Sequence, residues 1–384
     1  MNMSFLIFTF WLSLFGVFYV YIGYPLAVYI LAGIVNRSVR KDHIMPFVTI
    51  IIAAYNEEDC IGATIENKLS LDYPKDRFEI IVVSDESDDK TDDIVGGYSD
   101  KGVKLLRQSP RAGKTSAINM AVPHASGEIL VFSDANSIYS PDALKMLVQN
   151  FADSNVGYVT GKMIYVDPDG TPVGEGCSAY MKYENRLREL ETKLGSIVGV
   201  DGGIDAMRKE LYSFLLPDQL PDFVQPLKVV EKGYRVVYEP GALLQEKSLQ
   251  AESDEYRMRV RVTLRALWAL WDMRQLLFGA GGLLFSWQLW SHKVLRYTCF
   301  VFLAMALLSN MALAIEFFSY RLLLLPHLAF YVGAVLSPFM ERQGRDLALM
   351  RLMYYFMLLN LASLHAMVKF IQGKKQVIWS PRKG

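Results

Sequence analysis

Hydrophobic positions gather at the two ends of the chain, and the middle alternates short apolar runs with amphipathic ones. Phe5–Val35 carries no charged residue, and a helix needs roughly 20 apolar residues to cross a bilayer. Tyr297–Ile315, Leu322–Met340 and Leu352–Val368 are further candidates, uncharged apart from His327 and His365, and the last is short for a crossing. Between residues 46 and about 245, "FVTIIIA" (47–53), "FEIIVVSD" (78–85), "VKLLRQ" (103–108), "EILVFSD" (128–134) and "VGYVTGKMIY" (156–165) have the continuous apolar character of buried strands. Helical patterns separate them. Asn56 is read as the cap of a first turn holding Glu57, Glu58 and Asp59, and Ser140-Pro141 opens "PDALKMLVQNF". Strand–helix alternation of this kind predicts an α/β domain with a mostly parallel sheet covered on both faces.

The first apolar segment lacks a basic leader and a small-residue cleavage site, so it is expected to stay as an anchor, with Pro25 kinking it or marking its exit from the membrane. Arg37, Arg40 and Lys41 follow it. The positive-inside rule then puts the amino terminus outside and residue 40 onward in the cytosol of a bacterial or archaeal cell. Three later crossings would leave the basic tail "KKQVIWSPRKG" outside, against the same rule, so one segment is re-entrant or interfacial or the rule fails there. The expected organisation is an anchor (1–40), a catalytic α/β domain (41–250), amphipathic interfacial helices (251–292) and carboxy-terminal membrane helices with a basic tail (293–384).

Lys+Arg and Asp+Glu both number 40, so no charge excess invites nucleic acid. Cys60, Cys177 and Cys299 are scattered without a CxxC pair, which argues against a disulfide framework or a zinc site.

Polar residues follow three of the strands: Ala54-Tyr55-Asn56-Glu57, Ser84-Asp85-Glu86-Ser87-Asp88, and Asp134-Ala135-Asn136. Ligands of open α/β sheets bind beyond the carboxyl ends of strands. Asp134 and Asn136, two apart, offer two oxygen ligands for a divalent cation, although turns and helix caps use the same residues. "PRAGKTSA" contains Gly-Lys-Thr, but Gln108 stands where a phosphate-binding P-loop needs its first glycine. No GxGxxG follows the first strand, so a dinucleotide site is also unsupported.

The ordered set "AAYNEE", "VVSDESDDKT", "RAGKTSAIN", "FSDANS", "GGIDAMRKE", "PDFVQPLKVVEKGYRVVYEPGA" and "RMRVRV" resembles a membrane-bound family 2 glycosyltransferase with a GT-A fold, over roughly residues 46–370. The resemblance implies roles. Tyr55 and Glu57 would line the nucleotide pocket, Asp85 would hydrogen-bond the donor's base, and Arg111 and Lys114 would lie near the donor. "DAN" stands at the family's metal-binding DxD, which makes Asp134 the main ligand of Mg²⁺ or Mn²⁺ and Asn136 a weaker one. Asp222 stands at the catalytic base, with Pro221 where a second acid is usual. Gly202 and Gly203 would border the acceptor, and "MKYENRLRELETKLGS" resembles the helix before that region. Asp205 is read as touching a polar acceptor or capping the next helix.

Such a site would move a sugar from a nucleotide-sugar, a UDP-sugar in the first instance, to a membrane-associated acceptor. The metal and a nearby cation would stabilise the departing diphosphate, and one carboxylate would take the acceptor's proton. A single base opposite the leaving group implies inversion at the anomeric carbon. The QxxRW of processive synthases is reduced to Arg261, with Met258 and Val262 at the other two positions. That favours adding one sugar to a lipid-linked oligosaccharide in exopolysaccharide or capsule assembly over long-chain synthesis. Arg257, Arg261 and Arg265 share one helical face, which would reach the diphosphate or lie in lipid headgroups. Val260, Leu264, Leu267, Trp268 and Trp271 give the helix a side suited to a membrane surface. A different reading keeps the fold but not the turnover: a binding or regulatory subunit, suggested by Pro221 and Asn136.

Overall fold

The computed structural model describes residues 2–166, 172–247, 252–345 and 347–376; the side chains of residues 165–166, 172–179, 247 and 252–254 are outside the description. The expected boundary at 250/251 and tail residues 377–384 are outside it too. One eight-stranded sheet forms the middle of the chain, in the order β3-β2-β1-β4-β7-β6-β8-β5. Its strands are β1 (Val48–Ala54), β2 (Phe78–Asp85), β3 (Val103–Gln108), β4 (Ile129–Asp134), β5 (Ile138–Tyr139), β6 (Val156–Val166), β7 (Ile204–Arg208) and β8 (Arg235–Lys247).

β1 shows why the strands read as unbroken apolar runs. Successive side chains of a strand point to opposite faces. Ile50, Ile52 and Ala54 enter one core with Val82 and Val131, while Ile51 and Ala53 enter a second with Ile81, Val83, Leu130 and Phe132. Both faces are covered by helices, so a polar side chain along β1 is costly unless it is hydrogen-bonded, as the buried Thr49 is to Glu79 at 2.8 Å. β1 pairs in parallel with β2 and β4, and β2 with β3. The carboxyl ends of β2, β1 and β4 are therefore neighbours.

Three features depart from the expectations. The helix after β1 starts at Ile61, and residues 58–60 form a turn. Asn56 has φ 52°, and its amide bonds Asp88 rather than the helix. The Glu57 and Glu58 backbone N–H groups donate to Thr91 and Asp89. These residues stitch the β1 and β2 loops together. β7 and the long β8 are strands beyond the five expected; β7 inserts antiparallel between β4 and β6. The helix after Ser140 spans Ala143–Val148 and ends in a 3₁₀ turn, Gln149–Ala152.

Four helical stretches are long and apolar enough to cross a membrane: Met3–Val35, Cys299–Glu316, Phe318–Arg342 and Ala348–Ile371. The first contains a π turn, Tyr19–Gly23, where the Tyr24 N–H reaches back to the Tyr19 carbonyl. Pro25 follows directly. It has no N–H to give to Tyr21, whose carbonyl accepts from Tyr183 Oη at 3.4 Å, so the helix continues without breaking. Beyond it, Tyr24, Val28 and Ala32 pack on Leu187, Leu190 and Leu194 of helix Pro172–Leu194. The helix Glu252–Asp272 packs Val260, Leu264 and Leu267 against Ala362 and Ala366 of Ala348–Ile371. The apolar side expected to face the membrane thus faces protein, because a second helix supplies small residues for it.

Candidate active site

A cavity of about 340 Å³ opens beyond the joined strand ends. At one end it is lined by Glu57, Lys114, Asp134, Asn136, Gly202 and Asp222. Asp134 ends β4, and Asp222 is at the first turn of helix Pro221–Glu231, where the helix dipole favours an anion. Lys114 Nζ lies 2.6 Å from Asp134 Oδ1 and 3.5 Å from Asp222 Oδ1. Burial alone would depress the Lys114 pKa, but Asp134 and Asp222 outweigh it and hold the ammonium above its ordinary value.

Two glycines allow this convergence. Gly202 and Gly203 have φ of +72° and +73°, a conformation costly to side chains. A Cβ on Gly202 would stand 3.0 Å from Asp222 Oδ2, and one on Gly203 3.4 Å from Asp134 Oδ2. The backbone thus presses against both acids.

Lys114 is itself positioned by Asp85. That carboxylate is fully buried and accepts from the Ala112 and Gly113 N–H groups at 2.9 and 3.0 Å, and from Gln108 Nε2. Arg111 Nε is 3.6 Å away, and its guanidinium stacks 3.3 Å above the Tyr55 ring. Asp85, Tyr55 and Arg111 therefore form a brace behind the loop that presents Lys114, and none of the three lines the cavity.

Of the three arginines expected on one face, Arg261 and Arg265 line the cavity, whereas Arg257 is exposed away from it. An i+4 step overshoots a 3.6-residue turn by about 40°, so the two steps from Arg257 to Arg265 drift by about 80°. Arg259 lines the cavity in its place. Arg265 donates to the Gln219 carbonyl at 2.7 Å; burial lowers its pKa to about 10 against the pull of Asp222.

Asp205 neither touches the cavity nor caps a helix. It sits inside β7 between Phe132 and Thr160 of the flanking strands, fully buried, with the Thr160 and Tyr158 hydroxyls as its polar neighbours. Burial first, and Asp222 second, push its pKa up to about 8. From pH about 4 to 8 the folded chain holds this proton and the unfolded chain does not, so stability should fall as pH rises through that window. Asp205→Asn removes the titration. In EDTA, its melting temperature should be flatter than wild type from pH 5 to 8 and higher at pH 8, on the order of a few kcal/mol of relative stability. Parallel pH profiles for the two proteins would refute the assignment.

Of the cavity's other end, only the stretch "MKYENRLRELETKLGS", with Glu184 and Arg188, is expected near the acceptor from sequence. There Tyr21, Tyr180, Glu184, Arg188, Asp201, Lys293, Arg296, Tyr297, Asn360 and Ser363 come from five separated segments. Arg188 pairs with Asp201 at 2.5 Å and Arg296 with Glu184.

The family model for glycosyl transferase family 2 matches residues 49–215. Those residues form a family 2 glycosyl transferase domain. It contains the three strand ends, the Lys114 loop and both glycines; Asp222 and the arginine helix follow it in sequence. The domain is 32% identical over 171 residues to the beta-monoglucosyldiacylglycerol synthase of Trichormus variabilis, covering 43% of this chain and 36% of that protein. Over 202 residues it is 26% identical to the poly-beta-1,6-N-acetyl-D-glucosamine synthase of Staphylococcus aureus, 51% of this chain and 48% of that one. The chain thus spans between a third and a half of these relatives. Among solved structures, a mannosyltransferase from Pyrobaculum calidifontis superposes with a TM-score of 0.73 at 24% identity, over 94% of this chain and 99% of that one. The shared fold therefore extends past the transferase domain into the flanking helices, and it is a GT-A fold.

Proposed function

We propose that the chain transfers a sugar from a nucleotide-sugar to a membrane-associated acceptor, with inversion and with a divalent cation. The observation that carries this is the meeting of Asp134, Lys114 and Asp222 in a cavity that continues to the apolar helices. The names of the relatives support it: one makes a glucosyl lipid, another a polysaccharide, and the Pyrobaculum enzyme was solved with GDP-Man and Mn²⁺.

The residues fit a hard cation. Asp134 faces the cavity with 35% of its side chain exposed, Asn136 lines the wall beside it, and both offer oxygen. Among the described residues no three His, Cys, Asp or Glu side chains form a closed metal cage. That matches a cation held by one or two protein oxygens and completed by substrate phosphates and water. Bound there, Mg²⁺ or Mn²⁺ would supply charge stabilisation to the departing diphosphate. Lys114 and Arg261 carry cationic charge on the same wall. The acceptor hydroxyl oxygen bonds the anomeric carbon as the bond from that carbon to the diphosphate oxygen breaks. Its proton goes to Asp222, which lines the same cavity as Asp134 and Asn136. The nucleotide would lie over the Asp85 brace, whose carboxylate fixes the Lys114 loop. With one base and no QxxRW, the chain adds a single sugar to a lipid-linked acceptor, as in exopolysaccharide assembly. The test is nucleoside diphosphate release in membranes given a panel of nucleotide-sugars, with EDTA and then Mn²⁺. Equal release in EDTA, or none with any donor, would refute the proposal.

The chain sits in the membrane with three crossings rather than four. Leu6 and Phe10 pack on Leu313, Ala314 and Tyr320, so the start of the first helix lies beside the junction of the next two. Ala348–Ile371 instead runs along the catalytic side. Tyr355 Oη bonds Glu255, the Lys374 carbonyl accepts from Trp268, and Lys375 pairs with Asp218. This interfacial path keeps Lys374 and Lys375 on the same side as Arg37, Arg40 and Lys41, in keeping with the positive-inside rule. A tag after residue 376 should be protease-accessible from the side that exposes the catalytic domain; accessibility from the opposite side would require a fourth crossing.

A further inference from the structure

Two π turns meet at the membrane-side end of the cavity. Tyr19–Gly23 and Trp290–Val294 are joined by Tyr19 Oη, which lies 2.8 Å from Ser291 Oγ and accepts from Trp287 Nε1 at 2.9 Å. A π turn inserts one residue and so rotates the side chains around it, and such turns are frequent at functional sites. Here His292 points inward, 2.7 Å from Glu191 and 3.1 Å from Glu184, while Lys293 points into the cavity.

The other cations on this wall have carboxylate partners: Arg188 has Asp201, Arg296 has Glu184, and Arg259 has Glu255 at 2.7 Å. Lys293 makes no hydrogen bond or ion pair among the described residues. Its Nζ lies 5.8 Å from the ring of Phe223, the residue after Asp222. The backbone leaves room for it, since a Cβ on Gly199 would be 2.4 Å from Nζ. Burial lowers the pKa of this lysine to about 8, opposed by Glu184, so the ammonium is charged at neutral pH and poorly solvated. An anion placed against it recovers what burial removed, whereas an uncharged ligand leaves it unpaired. Tyr21, Asn360 and Ser363, from the first and last apolar helices, line the same end.

We propose that this end of the cavity is a second anion site, centred on Lys293, which holds the phosphate of the acceptor and so presents the acceptor's hydroxyl to Asp222. The site rests on the transferase reading above for its role but not for its existence. A phosphate recognised here belongs to a lipid headgroup, because the wall is made by membrane helices; a soluble phosphate ester carries the same chemistry.

The test uses the purified full-length chain in detergent and three probes: farnesyl phosphate, farnesol and inorganic phosphate. Farnesyl phosphate should bind at least tenfold more tightly than farnesol, as expected for one charge-assisted contact. Lys293→Met should weaken farnesyl phosphate by about tenfold or more, and Lys293→Arg should restore most of it. Gly199→Ala should act like Lys293→Met while retaining the charge, because its Cβ displaces Nζ. Nucleotide-sugar affinity should be unchanged in all three variants. Inorganic phosphate binding as tightly, with the same Lys293 dependence, would support the anion site and assign it to soluble esters. Farnesol binding as tightly as farnesyl phosphate, or no effect of Lys293→Met, would overturn it. Failure of the wild type to turn over any nucleotide-sugar would sink the transferase reading separately, since the binding measurements do not depend on turnover.

Discussion

Asp222→Asn should lower turnover by about 10²–10⁴-fold while leaving nucleotide-sugar affinity within about twofold. Asparagine fills the same space at the start of helix Pro221–Glu231, and Lys114 keeps its 2.6 Å contact with Asp134. On the proposed reading the substitution removes the group that takes the acceptor's proton, along with a charge 3.5 Å from Lys114. A loss confined to kcat marks an interaction made in the transition state. Should the loss appear instead as weaker donor binding, Asp222 acts through Lys114 and another group is the base. Activity equal to wild type would remove Asp222 from the chemistry.

The convergence of these residues was legible where local pattern and fold agree. β2 and β4 end in Asp85 and Asp134, β1 runs on to Glu57, and a parallel sheet must place such ends side by side. Asp134 and Asp222 both line the cavity as the motif order implied. Asp85 shows the limit. Its place at a strand end was readable, but its burial under the Ala112 and Gly113 N–H groups depends on the loop fold, which no spacing encodes. Asp205 escaped for a different reason. An acid between isoleucine and alanine looks like a surface or capping residue, and β7 buries it only because that strand is inserted between β4 and β6. Asn56 and its acidic neighbours look like a helix start, yet contacts with the β2 loop outcompete capping. Lys293 and Tyr21 carry no motif, and only the meeting of two distant π turns brings them to one wall. The last apolar helix is long enough to cross a bilayer, and the proposed surface path rests on its packing against Glu252–Asp272, which no hydropathy pattern encodes.

The second large effect concerns Asp134. Asp134→Ala removes the charged oxygen that faces the cavity beside Asn136 and leaves Lys114 with Asp222 alone. Loss of cation-assisted stabilisation of a departing diphosphate is worth several kcal/mol, or about 10³-fold or more in rate. Donor-dependent Mn²⁺ binding should disappear with it, because one remaining amide oxygen is a poor anchor for a hard cation. The decisive measurement is nucleoside diphosphate release by Asp134→Ala and wild type in the same membranes at saturating Mn²⁺, with Mn²⁺ binding followed in parallel. The expected result is turnover in wild type only, and Mn²⁺ binding that requires both donor and Asp134. Full turnover by Asp134→Ala, or Mn²⁺ affinity unchanged by the substitution, would contradict the account.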